Sequence, residues 1–466
     1  MKPLIHPGFL FTSQRGEKLY HDYAERLPIV DFHCHLSPAM IESDRQFENL
    51  TRAWLEGDHY KWRVMRMNGV PENFCTGNAS DQEKYLKWAE TVPYTVGNPV
   101  YHWTHLELAR YFNLYDLLSP STAASIYNKA LAMLKTREFS ARSLIRKMNV
   151  EIICTTDDPA DDLKNHISVK SGWDVKMLPT FRADNVLKTE DPDAFKRYMH
   201  RLSEASEVEI KNTESLFKAL ERRHKFFHEN GCRLSDNGLN DLLYSPVSQP
   251  EADKSLKKLM KGEMLDAAET NGFRTLVLSE LCRMNNSRGW TQQFHLGAKR
   301  NNSFRMFMEM GPDTGWDSIG KSLNPYSIAA FFSNLEKDRQ LARTILYNSN
   351  PSDNAMMITM AGNFCDGTIQ AKVSNGAPWW FLDQKDGIER HLLDISSFGL
   401  LSRFAGMVTD SRSILSYPRH EYFRRIACNF IGKQVDTGLM PDDEPILRMV
   451  IENICYRNAK NYLGFR

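Results

Sequence analysis

The sequence predicts an α/β fold, a (β/α)8 TIM-type barrel that carries a helical insertion after its first strand. Three observations lead there. Short apolar runs alternate with helical stretches, the pattern of parallel β-sheet. Eight runs can be counted, near residues 30, 152, 177, 233, 292, 345, 371 and 406, and eight strand–helix units suit a closed barrel. Polar clusters follow the runs directly, where barrel enzymes carry their sites. A doubly wound open sheet is the competing arrangement. No repeat, low-complexity tract or Pro/Gly-rich linker divides the chain. Residues 1–466 are therefore expected to form one domain.

A short helical lead-in precedes Ile29-Val30-Asp31-Phe32-His33-Cys34-His35-Leu36, an apolar stretch bounded by Pro28 and Pro38 that reads as the first, buried strand. Residues two apart in a strand face the same way, so His33 and His35 share a side and Cys34 packs on the other. From about 64 to 147 the pattern is helical and too long for a loop, which marks the insertion. Strands follow at Val150–Thr155 and Val175–Thr180, then a long amphipathic helix running to His228, with Gly231 at its end. Cys232–Leu234 is a short strand leading to Ser235-Asp236-Asn237-Gly238. Residues 251–286 read as helix. Strands are then expected at Trp290–Phe294, Arg343–Tyr347, Gln370–Val373 and Phe404–Thr409.

Composition narrows the function. The chain is 42% hydrophobic and 25% charged, ordinary for a globular protein, and its net charge is +1. No global field favours nucleic acid or an anionic membrane, so neither is an expected partner. No apolar run approaches the roughly 18 residues that span a bilayer. The stretch from Met1 to Ser13 lacks the apolar core of a signal peptide. A cytoplasmic location is the default expectation. Eight scattered cysteines without a Cys-x-x-Cys pair fit reduced, packed thiols.

His33 and His35 leave the first strand, His295 the fifth and Asp410 the eighth. Together they offer nitrogen and carboxylate ligands for one divalent ion, which can polarise an oxygen and lower the pKa of a bound hydroxyl. Asp410 can serve as ligand and base; its structural alternative is a helix N-cap.

At this point the sequence resembles the uronate (glucuronate) isomerase family. The motifs are His33-Cys34-His35, Asp58-His59-Tyr60-Lys61-Trp62-Arg63, Thr155-Thr156-Asp157-Asp158-Pro159, Phe294-His295-Leu296-Gly297-Ala298 with Arg300-Asn301-Asn302, Gly311-Pro312-Asp313-Thr314-Gly315, Trp379-Trp380-Phe381 with Asp383-Gln384, and Thr409-Asp410-Ser411-Arg412-Ser413 with Arg419–Arg425. They run in order over essentially the whole chain. The resemblance implies an amidohydrolase-like barrel that interconverts D-glucuronate with D-fructuronate and D-galacturonate with D-tagaturonate. It also implies one divalent metal ion, with zinc expected, held by His33, His35 and Asp410. One departure is visible: the family pattern Ser-Asp-His-Gly reads Ser235-Asp236-Asn237-Gly238 here, and asparagine neither shuttles a proton near neutral pH nor replaces imidazole well as a ligand.

An aldose-to-ketose step moves a proton between adjacent carbons through an enediol, which needs a base, a proton donor and a positive group for the oxyanion. The expected parts are Tyr60 with His59 beside it for the carbon-bound proton, Asp410 for hydroxyl protons, and the metal as electrophile. Tyr60 needs a pKa depressed from about 10, with Arg63 or the metal as the source. Arg182 and Arg412 are the expected partners of the substrate carboxylate, and His295 and Trp379 complete the substrate wall. A small-molecule hexuronate and further copies of the chain are the expected partners. Two other functions compete: a metal-dependent hydrolase of the same superfamily, against which the Ser235–Asn237 region offers no bridging lysine, and a sugar-acid binder that has lost turnover through Asn237.

Overall fold

A computed structural model describes residues 3–465. Its strands are β1 (Ile29–Asp31), β2 (Val150–Cys154), β3 (Lys176–Leu178), β4 (Phe181–Arg182), β5 (Leu234–Leu239), β6 (Thr291–Leu296), β7 (Ala298–Lys299), β8 (Ser318–Ile319), β9 (Arg343–Asn348) and β10 (Val373–Asn375). They form a parallel sheet ordered β1-β2-β3, a second parallel sheet ordered β10-β9-β6-β5-β4, and an antiparallel β7-β8 pair. This is an α/β fold with parallel sheet, as expected. A single closed eight-stranded ladder is not what the hydrogen bonds describe.

The two parallel sheets meet where only residues 179–180 separate β3 from β4. There Asp157 N–H donates to Thr180 O at 3.0 Å and Arg182 N–H donates to Asp157 O at 2.9 Å. At the other edge, Asp410 N–H donates to His33 O at 3.1 Å and His35 N–H to Ser411 O at 3.0 Å. The eighth expected strand, Phe404–Thr409, therefore lies beside the first, yet it is not a regular strand and no ladder joins it to β10 among the described residues. Its ends explain why. Gly406 has φ +91° and Asp410 φ +44°, conformations that break an extended strand. Gly406 is also pressed against the Asn453–Arg457 turn: a Cβ there would lie 2.2 Å from Ile454 O.

Other boundaries move for identifiable reasons. β5 and β6 extend through Ser235-Asp236-Asn237-Gly238 and His295, which sequence polarity placed beyond the strand ends. Their ladder continues from Leu234↔Thr291 to Leu239↔Leu296, and the polar side chains find partners inside. β10 starts at Val373, three residues later than expected. The stretch expected as one helix to His228 is divided into Asp184–Leu187, Pro192–Ser206 and Thr213–Glu229. Pro192 starts the second, and Glu207 at φ +52° ends it.

Only helices lie between β1 and β2. The one carrying the His59-Tyr60 motif spans His59–Met67 and begins before the expected boundary at Val64, because Asp58 caps it and accepts from Tyr60 N–H and Lys61 N–H at 3.1 Å each. The insertion helices share one buried cluster with β1, β2 and the helix Pro418–Asp436; Trp54, Trp88 and Tyr111 are fully enclosed in it. A second cluster joins β4, β5, β6 and β9 to the helices Thr213–Glu229 and Ala267–Ser287.

Candidate active site

Residues at the C-terminal ends of the strands converge on one cavity of about 400 Å³. His33 Nε2 and His35 Nε2 each lie 3.1 Å from Asp410 Oδ1. The regular strand β1 stops at Asp31, so the two imidazoles meet Asp410 from the segment beyond it, with ring centroids 5.1 Å apart. Burial opposes a charge on each group. For Asp410 the hydrogen bonds from both histidines outweigh burial and hold its pKa well below the usual carboxylate range. For His35 burial wins and lowers the pKa to about 4. For His33 the charges of Asp236 and Asp410 overcome burial and raise it.

Asp236, fully buried on β5, forms the second layer. Its Oδ1 accepts from His295 Nδ1 at 2.6 Å and its Oδ2 pairs with Arg182 Nη1 at 2.9 Å. Burial works against this carboxylate, but Arg182, His295 and His33 outweigh it and hold it ionised. An ionised carboxylate only accepts, so Nδ1 of His295 carries the proton. Burial lowers the pKa of His295, which leaves Nε2 with a lone pair; that atom is buried without a hydrogen-bond partner. The ring stacks on Tyr347 at 4.1 Å and lies 4.9 Å from Trp379.

Among the described residues, two groups can therefore hold a metal ion: His33, His35 and Asp410, and His33, Asp236 and His295, with ligand atoms in each within 4.8 Å of one another. The first fits a divalent ion better. Its carboxylate oxygen faces two imidazoles, and His35 is 21% exposed toward the cavity. Asp236 in the second is already bound to Arg182 and to His295 Nδ1.

His59 lines the cavity, and Tyr60 stacks against it with centroids 5.0 Å apart. The expected depressed pKa of Tyr60 is overturned. Burial, then the charges of Asp383 and Asp410, raise it well above 10. Its hydroxyl donates to Asp383 Oδ2 at 3.2 Å rather than standing free. Arg63, the expected cation, instead donates to Asp317 O at 2.6 Å and lies over Phe381. Arg419 takes that place, 5.2 Å from the Tyr60 ring and 4.0 Å from Asp383. Burial pushes Asp383 up to about 7, against the charge of Arg419. Burial, followed by the charge of Arg412, lowers His59, so its imidazole is neutral near pH 7.

The cavity also holds Arg182, Lys188, Arg300, Asp313, Trp379 and Arg412. The two expected carboxylate partners already have acids of their own. Arg182 pairs through Nε with Asp184 at 2.8 Å as well as with Asp236, and Arg412 Nη2 lies 3.1 Å from Asp313 Oδ2. Arg300 shares Asp313 at 3.8 Å and lies over Trp380. Asn237 is buried beside this wall; its Nδ2 donates to Asp184 Oδ1 at 3.3 Å. Four non-glycine residues with positive φ line the cavity: Asn301 (55°), Asp313 (60°), Trp380 (55°) and Asp410 (44°). Each such residue costs on the order of 1 kcal/mol, and strain of this kind gathers at functional sites. Sequence reasoning assigned no role to Lys188, Asp383 or Asp313. Asp383 and Asp313 lie in motifs of the resemblance; Lys188 carried no signal.

The fold and this site define an α/β enzyme with a candidate divalent-metal centre at the C-terminal ends of its strands. The model of the family described as glucuronate isomerase matches residues 1–463. A uronate isomerase of Bacteroides fragilis is 49% identical over 100% of both chains. One of Cellvibrio japonicus is 48% identical over 99% of this chain and 98% of that protein. The crystal structure of uronate isomerase from Thermotoga maritima has a TM-score of 0.93 and 32% identity, covering 98% of this chain and 99% of that one. The chain belongs to the glucuronate isomerase family.

Proposed function

We propose that this protein isomerises hexuronates, interconverting D-glucuronate with D-fructuronate and D-galacturonate with D-tagaturonate, at the cavity of His33, His35, His59 and Asp410. The observation that carries the reading is the shared oxygen, Asp410 Oδ1, 3.1 Å from both imidazoles in a cavity walled by charged and aromatic side chains. Family membership supports the reaction class.

His33, His35 and Asp410 would hold one divalent ion, zinc by the chemistry of the donors, which would supply positive charge for polarising a sugar oxygen. The His59–Tyr60 pair moves the carbon-bound proton. His59 is the member at the cavity wall and is neutral, as a base must be. Tyr60 acts as a neutral hydroxyl that passes hydrogen-bonding to Asp383, in place of the phenolate the sequence suggested. Asp410 handles hydroxyl protons next to the reacting carbons. Trp379 and His295 form the wall behind them. Arg412 and Arg300 share one carboxylate, so they retain N–H donors for sugar oxygens.

The two parallel sheets are read as halves of the expected barrel, supported by the contacts Asp157–Thr180 and Asp410–His33 at their edges. The reaction is assigned to the cytoplasm and to a homo-oligomer without nucleic-acid or membrane partners. All eight cysteines are free, and no helix of the described residues is long and apolar enough to cross a membrane. Phe304, Met308 and Tyr326 offer exposed apolar surface for self-association.

The test is incubation of the purified protein with each uronate, following ketose by NMR. Conversion of at least one uronate is expected. Absence of ketose from both, where a known uronate isomerase converts them, rejects the reading.

A further inference from the structure

Arg419 is buried near the start of the helix Pro418–Asp436. A buried guanidinium ordinarily has a close acid or several acceptors, and this one has few. Its one ion pair among the described residues, with Asp383 Oδ2, is long at 4.0 Å. Its Nη1 donates to Thr409 O at 3.4 Å, and its Nε is buried without a hydrogen-bond partner. What it does have is two aromatic faces. The guanidinium carbon lies 4.2 Å from the ring centre of Trp103 and 5.2 Å from that of Tyr60, and the two rings meet edge to face at 5.8 Å.

These contacts join separate parts of the chain. Tyr60 and Trp103 lie in helices between β1 and β2. Asp383 follows the Trp379-Trp380 segment and accepts from the Tyr60 hydroxyl at 3.2 Å. Thr409 precedes Asp410 and is fixed by Asp31, which accepts its N–H at 2.8 Å and its hydroxyl at 2.6 Å. Arg419 is thus anchored beside β1 and reaches both the ring of Tyr60 and the carboxylate that receives its hydroxyl.

We propose that Arg419 is a positioning residue of the isomerase: it holds Tyr60 by its ring and, through Asp383, by its hydroxyl, and so sets where the His59–Tyr60 pair stands relative to Asp410. This rests on the hexuronate reading. A guanidinium is a flat cation that covers an aromatic face while its edge donors face a carboxylate. Burial disfavours the ionised, purely accepting form of Asp383, and the charge of Arg419 opposes that. A reacting group misplaced by about 1 Å can cost about 10²-fold in rate, so such a clamp acts on kcat without touching substrate.

In Arg419→Gln, kcat for the converted uronate falls about 10–100-fold, while KM stays within about threefold and the zinc stoichiometry is unchanged. Arg419→Lys keeps the charge and loses the plane, so it recovers only a small part of the loss. A double-mutant cycle separates positioning from general damage. In the Tyr60→Phe background, Arg419→Gln costs less than about threefold, because both substitutions act on one unit. A loss of structure, or damage passed through Thr409 to Asp410, carries its full factor into that background. A second arm needs no turnover. In fluorotyrosine-labelled protein, the fluorine NMR resonance assigned through Tyr60→Phe shifts or broadens in Arg419→Gln and in Arg419→Lys, while those of distant tyrosines stay. An unchanged kcat, a loss additive with Tyr60→Phe, or an unmoved Tyr60 resonance overturns the proposal. If the wild type converts no uronate, the function reading falls, and the Tyr60 resonance still decides whether Arg419 holds that side chain.

Discussion

Trp379 Nε1 donates a 2.8 Å hydrogen bond to Asp410 Oδ2, the oxygen that does not face the histidines. The indole fixes the carboxylate so that Oδ1 alone is presented to His33 Nε2 and His35 Nε2. Outer partners of this kind orient metal ligands, and their loss typically costs 10–100-fold in affinity. Trp379→Phe keeps the ring and removes the donor. It is expected to weaken zinc binding by about that factor, read by competition with a chromophoric chelator. Asp410→Asn is expected to abolish stable binding.

The carbon-bound proton gives a second test. His59→Asn removes the neutral base from the cavity wall and is expected to lower kcat by about 10³-fold or more. Tyr60→Phe deletes the hydroxyl bound to Asp383 and is expected to lower kcat by about 10–100-fold. Exchange at carbon 2, followed by NMR in deuterated water, checks both. Near-normal exchange in His59→Asn rejects its role.

Stability should depend on pH through Asp157. Burial pushes its pKa from 3.8 up to about 7, against hydrogen bonds from Thr155 and from Thr180 N–H. The folded state therefore holds this proton more tightly than the unfolded chain does. The group's contribution is full below about pH 4 and is lost as pH rises through about 7. Asp157→Asn can still accept both hydrogen bonds through its amide oxygen. Its Tm is expected to exceed that of the wild type at pH 8, and the difference should shrink toward pH 5. Equal Tm values at pH 8 would count against a protonated Asp157.

Asn237 points its amide at Asp184 rather than into the ligand cluster. The structure thus favours a role in tying β5 to the Asp184 segment over direct service to metal or substrate. Asn237→His is expected to change kcat/KM by less than about threefold. A large gain would show that the asparagine limits turnover.

Much of the site was legible because the relevant residues follow apolar runs: His33 and His35 after β1, and Asp410 after the run beginning at Phe404. The α/β pattern was legible for the same reason. Strand ends were less so. Asp236 and His295 look like rim residues in sequence, yet they lie within β5 and β6 because each satisfies the other inside. The electrostatics of Tyr60 needed three dimensions, since Asp383 and Arg419 are more than 300 residues away in sequence.

The central claim is that one divalent ion at His33, His35 and Asp410 supports hexuronate isomerisation. Metal-depleted protein titrated with zinc, with bound metal and ketose formation measured on the same samples, tests it most directly. The expected result is activity that rises linearly and levels off at about one ion per chain. Full activity in metal-free protein, or no ketose at any zinc loading, would contradict the account.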